Sequence, residues 1–297
     1  MKQSMRELIL WGEQQLESSD VYFGHGTDNA LDEAAYLLAH TLNISPDLSD
    51  NDLDKMVGDT DSQKYQQLIA QRIEKKIPAA YLTHEAWFAG LPFYVDERVL
   101  IPRSPIAELI LDGFSPWIDI NKVHSALDLC TGSGCIGIAI AKYFPHIQVD
   151  ISDLSDDALV VANQNIQRHG LSDRVIAYQS DLFKGLPDKV YDLIVSNPPY
   201  VDAEDMAVLP TEYQHEPQMG LTAGEQGLDL VIPMLQQAAN YLRPGGILII
   251  EVGNSEASLQ ERFPQVPFTW LEFEYGGHGV FLLDHEQLIT YQENFNS

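Results

Sequence analysis

The chain has 297 residues, 45% of them hydrophobic, and carries 17 Lys and Arg against 44 Asp and Glu, a net charge of −27. That is enough apolar material for one large core, or a large and a small one, yet no apolar run nears the roughly 18 residues of a membrane span. The acidity works against nucleic-acid binding, in which Lys and Arg neutralise phosphates, and favours encounters with basic partners.

The first nineteen residues, MKQSMRELILWGEQQLESS, hold only a four-residue apolar patch among charged residues. Neither a secretory signal nor a transit peptide is expected there. Cys130 and Cys135 share one glycine-rich turn and make no disulfide framework. The expectation is a cytoplasmic protein with reduced thiols. The nine His residues show no metal-ligand spacing, so no metal is expected.

Residues 1–85 read as a small helical domain. Met5–Leu16 is amphipathic, Asp28–Leu38 begins with a plausible cap, and residues 61–76 end in Lys75-Lys76, which suits the helix macrodipole. Residues 86–102 read as a β-hairpin connector, rich in aromatic and β-branched residues around Gly90-Leu91-Pro92. A larger domain spans 103–297. Pro102-Arg103-Ser104-Pro105 opens a helix, and from about residue 124 strands and helices alternate. Strands are expected at 126–128, 147–151, 175–178, 191–196, 246–252, 268–274 and 280–283, with helices at 135–143, 156–169 and 228–242. The alternation implies an α/β fold with a doubly wound, mostly parallel sheet. The two closing strands imply an antiparallel edge.

The first strand ends in Asp128-Leu129-Cys130-Thr131-Gly132-Ser133-Gly134-Cys135-Ile136-Gly137. Gly132, Gly134 and Gly137 fit G-x-G-x-x-G, which brings backbone close to a ligand at a helix N-terminus. Asp153 follows at the end of the second strand, where an acid can bind a ribose hydroxyl. These features alone leave a nicotinamide dinucleotide and S-adenosylmethionine both open. Asp128 tips the choice toward S-adenosylmethionine and disfavours a nicotinamide dehydrogenase, because a carboxylate beside a pyrophosphate is repelled, whereas it suits an ammonium and a sulfonium. Asp181, after the third strand, can accept from an adenine amino group with Leu182 or Phe183 against the ring.

Ser196-Asn197-Pro198-Pro199-Tyr200 ends the fourth strand, at the edge where open α/β sheets bind ligands. Asn197 and Pro198 each precede a proline and are held out of the helical region. Prolines offer no N–H to neighbouring carbonyls, which leaves the Asn197 side-chain oxygen and the Pro198 carbonyl as fixed acceptors beside the flat ring of Tyr200. Two acceptors and an aromatic face suit a planar –NH2 group. Holding both hydrogens lets the nitrogen pyramidalise and aim its lone pair at a sulfonium methyl. Positioning then carries much of the rate, with effective molarities on the order of 10⁵–10⁸ M. The same clamp serves a side-chain amide or a flipped DNA base, but neither domain has a basic, base-reading region: residues 1–85 hold seven Lys and Arg against fifteen acids.

The glycine turn, Asn197–Tyr200 and Leu100-Ile101-Pro102-Arg103 together resemble the protein glutamine N(5)-methyltransferases across nearly the whole chain. One branch of that family acts on the Gly-Gly-Gln glutamine of peptide-chain release factors, the other on a glutamine of large-subunit ribosomal protein three. Ile101–Ile106, Cys130 (usually glycine in the release-factor branch) and the stretches Tyr200–Met206 and Leu209–Pro217 resemble the ribosomal branch. The resemblance implies a class I methyltransferase domain behind the helical one. It implies Asn197, Pro198 and Tyr200 as the catalytic amide site. It places Asp128, Thr131, Gly132, Gly134, Asp153, Asp181 and Leu182 around S-adenosylmethionine and its product S-adenosylhomocysteine, and Arg103 and Glu216 at the substrate entrance. The implied partner is a basic ribosomal protein, free or early in assembly.

Overall fold

The computed structural model describes residues 2–296. Its contacts divide the chain into two compact units.

The first unit comprises residues 1–86 with two short excursions, 95–97 and 210–215. Its helices are α1 (Met5–Glu17), α2 (Ala30–Leu42), α3 (Asp50–Leu53), α4 (Asp59–Lys75) and α5 (Ala79–Thr83). Ser4 and Glu7 form a capping box at α1, and the Asn29 side chain accepts from the Asp32 amide to start α2. The expected helix over 61–76 begins two residues earlier and stops at Lys76, which turns into the left-handed region at φ 56°. Leu8, Leu16, Leu37, Leu38, Tyr65 and Ile69 interlock as this unit's core. Arg72 lies inside that unit with no exposed surface. Its Nε donates to Glu33 at 2.8 Å, Nη1 to Glu212 at 3.1 Å and Nη2 to the Tyr22 carbonyl at 2.6 Å.

A two-stranded hairpin, β1 (Ala86–Phe88) with β2 (Leu91–Phe93), follows α5. The extended pattern predicted through residue 101 does not continue as strand.

The second unit is a seven-stranded sheet flanked by helices. In chain order it runs α6 (Ile106–Leu111), β3 (Ser125–Leu129), α7 (Cys135–Tyr143), β4 (Gln148–Asp153), α8 (Asp156–His169), β5 (Val175–Gln179) and β6 (Tyr191–Ser196). It then continues through α9 (Ala203–Val208), α10 (Val231–Ala238), β7 (Leu242–Glu251), α11 (Glu256–Arg262), β8 (Thr269–Trp270), β9 (Val280–Asp284), α12 (His285–Thr290) and α13 (Gln292–Phe295). The sheet order is β5-β4-β3-β6-β7-β9-β8. β3 to β7 are parallel, and β9 is antiparallel to both β7 and β8. This is the doubly wound sheet with an antiparallel edge that the alternation implies. All five residues of β3 are buried, as a strand covered on both faces requires. Gly137 allows α7 to pack that closely: a Cβ there would lie 2.4 Å from Cγ2 of Ile151 on β4.

Two elements differ from the sequence reading. The helix expected over 228–242 is confined to Val231–Ala238, because Leu242 is drawn into register with Tyr191 and the chain then slips at Pro244-Gly245-Gly246 before Ile247 meets Leu193. The strand expected over 268–274 is reduced to Thr269–Trp270. Beyond it, the Glu274 and Tyr275 amides donate to the Glu108 carboxylate, which takes them out of the ladder.

Candidate active site

The sheet reverses its winding between β3 and β6, and ligands of open α/β sheets bind at the carboxyl ends of strands where that happens. Leu129 is in register with Ser196, and the Ser196 hydroxyl donates to the Leu129 carbonyl at 2.7 Å. The glycine turn and the Asn-Pro-Pro-Tyr motif therefore leave the sheet side by side.

Asp128 organises the glycine turn from beneath. It is fully buried, and its Oδ2 accepts from the Thr131 hydroxyl at 2.5 Å and the Gly137 amide at 2.9 Å. Its Oδ1 is enclosed and has no hydrogen bond among the described residues, and the same holds for the Ser133 hydroxyl. Burial pushes the Asp128 carboxyl up to about 7, and the neighbouring Asp153 charge adds to this. An enclosed carboxylate oxygen with no partner is costly unless a cation or donor meets it. The turn thus fits a positively charged methyl donor and disfavours a pyrophosphate. Cys130 sits at φ 56°, a region open to glycine at little cost.

Asp153 is more committed than its spacing implied. Its Oδ2 accepts from the Gly132 amide and its Oδ1 from the Ser155 amide, both at 2.9 Å. Each oxygen retains a lone pair for a ribose hydroxyl. Asp181 is exposed and pairs with Lys184, while Leu182 is buried in a turn at φ 53°. Phe183 is stacked on Tyr241 with ring centroids 4.5 Å apart and is only 1% exposed. Of the two hydrophobic residues considered for an adenine face, Phe183 is thus the one whose ring is already stacked.

Asn197 is half-buried and Pro198 buried. Neither the Asn197 amide nor the Pro198 carbonyl forms a hydrogen bond among the described residues. Tyr200 is anchored. Its hydroxyl donates to Glu251 Oε1 at 2.8 Å, and its carbonyl accepts from Ser255 Oγ at 2.9 Å.

Residues 7–83 match the PrmC N-terminal domain, and residues 111–212 match the methyltransferase small domain. The chain is 47% identical over 293 residues to the ribosomal protein uL3 glutamine methyltransferase of Francisella tularensis, covering 98% of this chain and 93% of that one. This chain belongs to that family. The uL3 glutamine methyltransferase of Neisseria meningitidis serogroup B is 48% identical over 287 residues, 96% of this chain and 94% of that protein. Among solved structures, the catalytic domain of hMettl16, crystallised with a hairpin of the MAT2A 3′UTR, aligns over 84% of this chain and 92% of that chain, with a TM-score of 0.55. At 19% identity that likeness is one of fold. The family that the glycine turn, Asn197–Tyr200 and Leu100–Arg103 together resemble is thus the family of the relatives, in its ribosomal branch.

In this glutamine methyltransferase the two residues expected at the substrate entrance form a pair. Arg103 Nη1 and Nη2 donate to Glu216 Oε1 and Oε2 at 2.6 and 2.8 Å, a bidentate pair. Glu216 is buried and also accepts from the Ile101 amide at 3.1 Å. They hold each other and fasten the loop after Tyr200 to the start of the domain. Sequence reasoning missed Glu251 and Ser104, the second donor to Glu251. The one available signal was an acid closing the apolar run Ile247–Ile250, on the strand beside the motif.

Proposed function

We propose that this chain methylates the side-chain amide nitrogen of a glutamine in ribosomal protein uL3, with S-adenosylmethionine as donor. The observation that carries this reading is the pair of adjacent acceptors, Asn197 Oδ1 and the Pro198 carbonyl. They stand beside the anchored Tyr200, on the strand next to the glycine turn. When bound, S-adenosylmethionine supplies a methyl group on a positively charged sulfur. Asp128, Thr131, Gly132, Gly134, Asp153, Asp181 and Leu182 are the residues that hold it.

Asn197 and Pro198 each accept one hydrogen of the glutamine amide. An amide nitrogen is a poor nucleophile because its lone pair is delocalised. Fixing both hydrogens orients the group and favours the pyramidal geometry in which the lone pair is available. Tyr200 lies against the plane of the amide. A glutamate carboxylate has no hydrogens to offer and leaves both acceptors unpaired, which supports discrimination of roughly 10⁴–10⁵.

The net charge of −27 supports a basic protein substrate. A cleft of about 560 Å³ at Gly253, lined by Asp202, Asp205 and Glu256 among others, has the same sign. Ribosomal proteins are basic, whereas an assembled subunit presents anionic RNA, so the enzyme acts on free or early-assembling uL3 in the cytoplasm. Equal turnover of free uL3 and mature subunits, with no salt dependence, would contradict that part.

The test is Asn197→Ala with free uL3 and radiolabelled S-adenosylmethionine. Removing an acceptor used only by the substrate amide is expected to slow transfer about 10²–10³-fold while donor affinity is kept. A collapse of donor binding instead would make Asn197 structural.

A further inference from the structure

Glu251 closes β7 and is 5% exposed. Its carboxylate links two segments far apart in sequence. Oε1 accepts from the Tyr200 hydroxyl at 2.8 Å and Oε2 from the Ser104 hydroxyl at 2.5 Å. Ser104 Oγ is itself fixed, accepting from the Ile106 amide at 3.2 Å. The residues just after Glu251 complete the hold on Tyr200. Gly253 packs flat on the ring, where a Cβ would lie 2.5 Å from Cε2, and Ser255 Oγ takes the Tyr200 carbonyl. One stretch, 251–255, thus grips the tyrosine by its hydroxyl, its ring face and its carbonyl.

A carboxylate is taken out of water at a cost, and here it is surrounded by donors: burial raises the Glu251 carboxyl, and Ser104, Tyr200 and the Arg103 charge oppose this. If the loop needed only an apolar plug, a leucine would serve at lower cost. What a carboxylate adds is direction, because its two oxygens fix the Tyr200 hydroxyl relative to Ser104 and remove rocking of the ring.

We propose that Glu251, backed by Ser104, is a positioning residue for methyl transfer: it sets the plane and depth of the Tyr200 ring, and through it the lie of the substrate amide. This rests on the reading of Asn197–Tyr200 as the amide site. Glu251 touches neither substrate nor donor in this role, so its loss lowers turnover and leaves donor binding in place.

The full chain is assayed with free uL3 and radiolabelled S-adenosylmethionine, with donor affinity and melting temperature measured on each variant. Since a displacement of about 1 Å can cost on the order of 100-fold in rate, Glu251→Ala is expected to lower kcat by about 10–100-fold. Its donor affinity stays at the parent value. Glu251→Gln keeps an acceptor for the Tyr200 hydroxyl and is expected to recover most of the loss. Glu251→Ala combined with Tyr200→Phe is expected to be no slower than the slower single variant, because both break one link. Multiplicative losses in the double variant, no recovery with Gln, or a fall in donor affinity without a fall in kcat would overturn the proposal. If Glu251→Ala does not fold, Ser104→Ala takes its place: its kcat loss must vanish in the Tyr200→Phe background, and persistence overturns the proposal. Parent rates in both Asn197→Ala and Tyr200→Phe would instead remove the amide-site reading on which it rests. Slow Asn197→Ala and Tyr200→Phe beside a full-rate Glu251→Ala would remove the positioning role alone.

Discussion

Replacing Asp128 by Asn is expected to stabilise the donor-free protein and to disable it. Asp128 has no exposed surface, and its Oδ1 has no hydrogen bond among the described residues. Burial, helped by the Asp153 charge, raises its carboxyl from 3.8 to about 7. A folded-state pKa above the unfolded one means that the group's stabilising contribution is complete below about 3.8 and is lost as pH rises through about 7. At about 1.4 kcal/mol per pH unit, a shift of roughly three units bounds the loss at about 4 kcal/mol. Asn stays neutral throughout and can still accept from Thr131 and Gly137. In thermal melts without donor, Asp128→Asn is therefore expected to gain about 5–10 °C at pH 8 and nearly nothing at pH 4. Equilibrium dialysis should show donor affinity falling by about 10²-fold, the loss of about 3 kcal/mol expected for a charge-assisted contact. A lower melting temperature at pH 8, or a gain that does not change with pH, would refute the reasoning.

Gly137→Ala would place a Cβ 2.4 Å from Ile151 and 3.2 Å from Asp128. It should cost about 1–3 kcal/mol in chemical denaturation and weaken donor binding as well. Arg72→Ala strands the buried Glu33 and Glu212 carboxylates inside the helical unit. It should destabilise that unit by about 3–5 kcal/mol, read by hydrogen exchange in α2 and α4. A uL3 variant carrying Glu in place of the target glutamine should accept no label.

How much of this was legible in the sequence depended on distance along the chain. The glycine turn and the Asn-Pro-Pro-Tyr motif are each local, within about ten residues, so both could be located without any knowledge of the fold. Strand and helix alternation gave the sheet, since buried parallel strands write their apolar runs plainly. Contacts between distant residues were hidden. Nothing around Ser104 or Tyr200 points to Glu251, which lies 147 and 51 residues away. The resemblance placed Arg103 and Glu216 at the substrate entrance one by one; only the fold brings them to each other. Arg72 sits in a helix whose local sequence does not mark it as buried, and one of its partners, Glu212, lies 140 residues downstream. The strand expected over 268–274 was overestimated because Glu108 captures the Glu274 and Tyr275 amides, a competition invisible to periodicity.

The central claim is methyl transfer to a glutamine amide in uL3. Its most direct test is mass spectrometry of free uL3 and of a release factor, each incubated with this chain and S-adenosylmethionine. The account predicts one added methyl on the side-chain nitrogen of a single uL3 glutamine, none on the release factor, and none with Asn197→Ala on the time scale of the parent enzyme. Methylation of the release factor in preference to uL3, or of any residue other than glutamine, would contradict it.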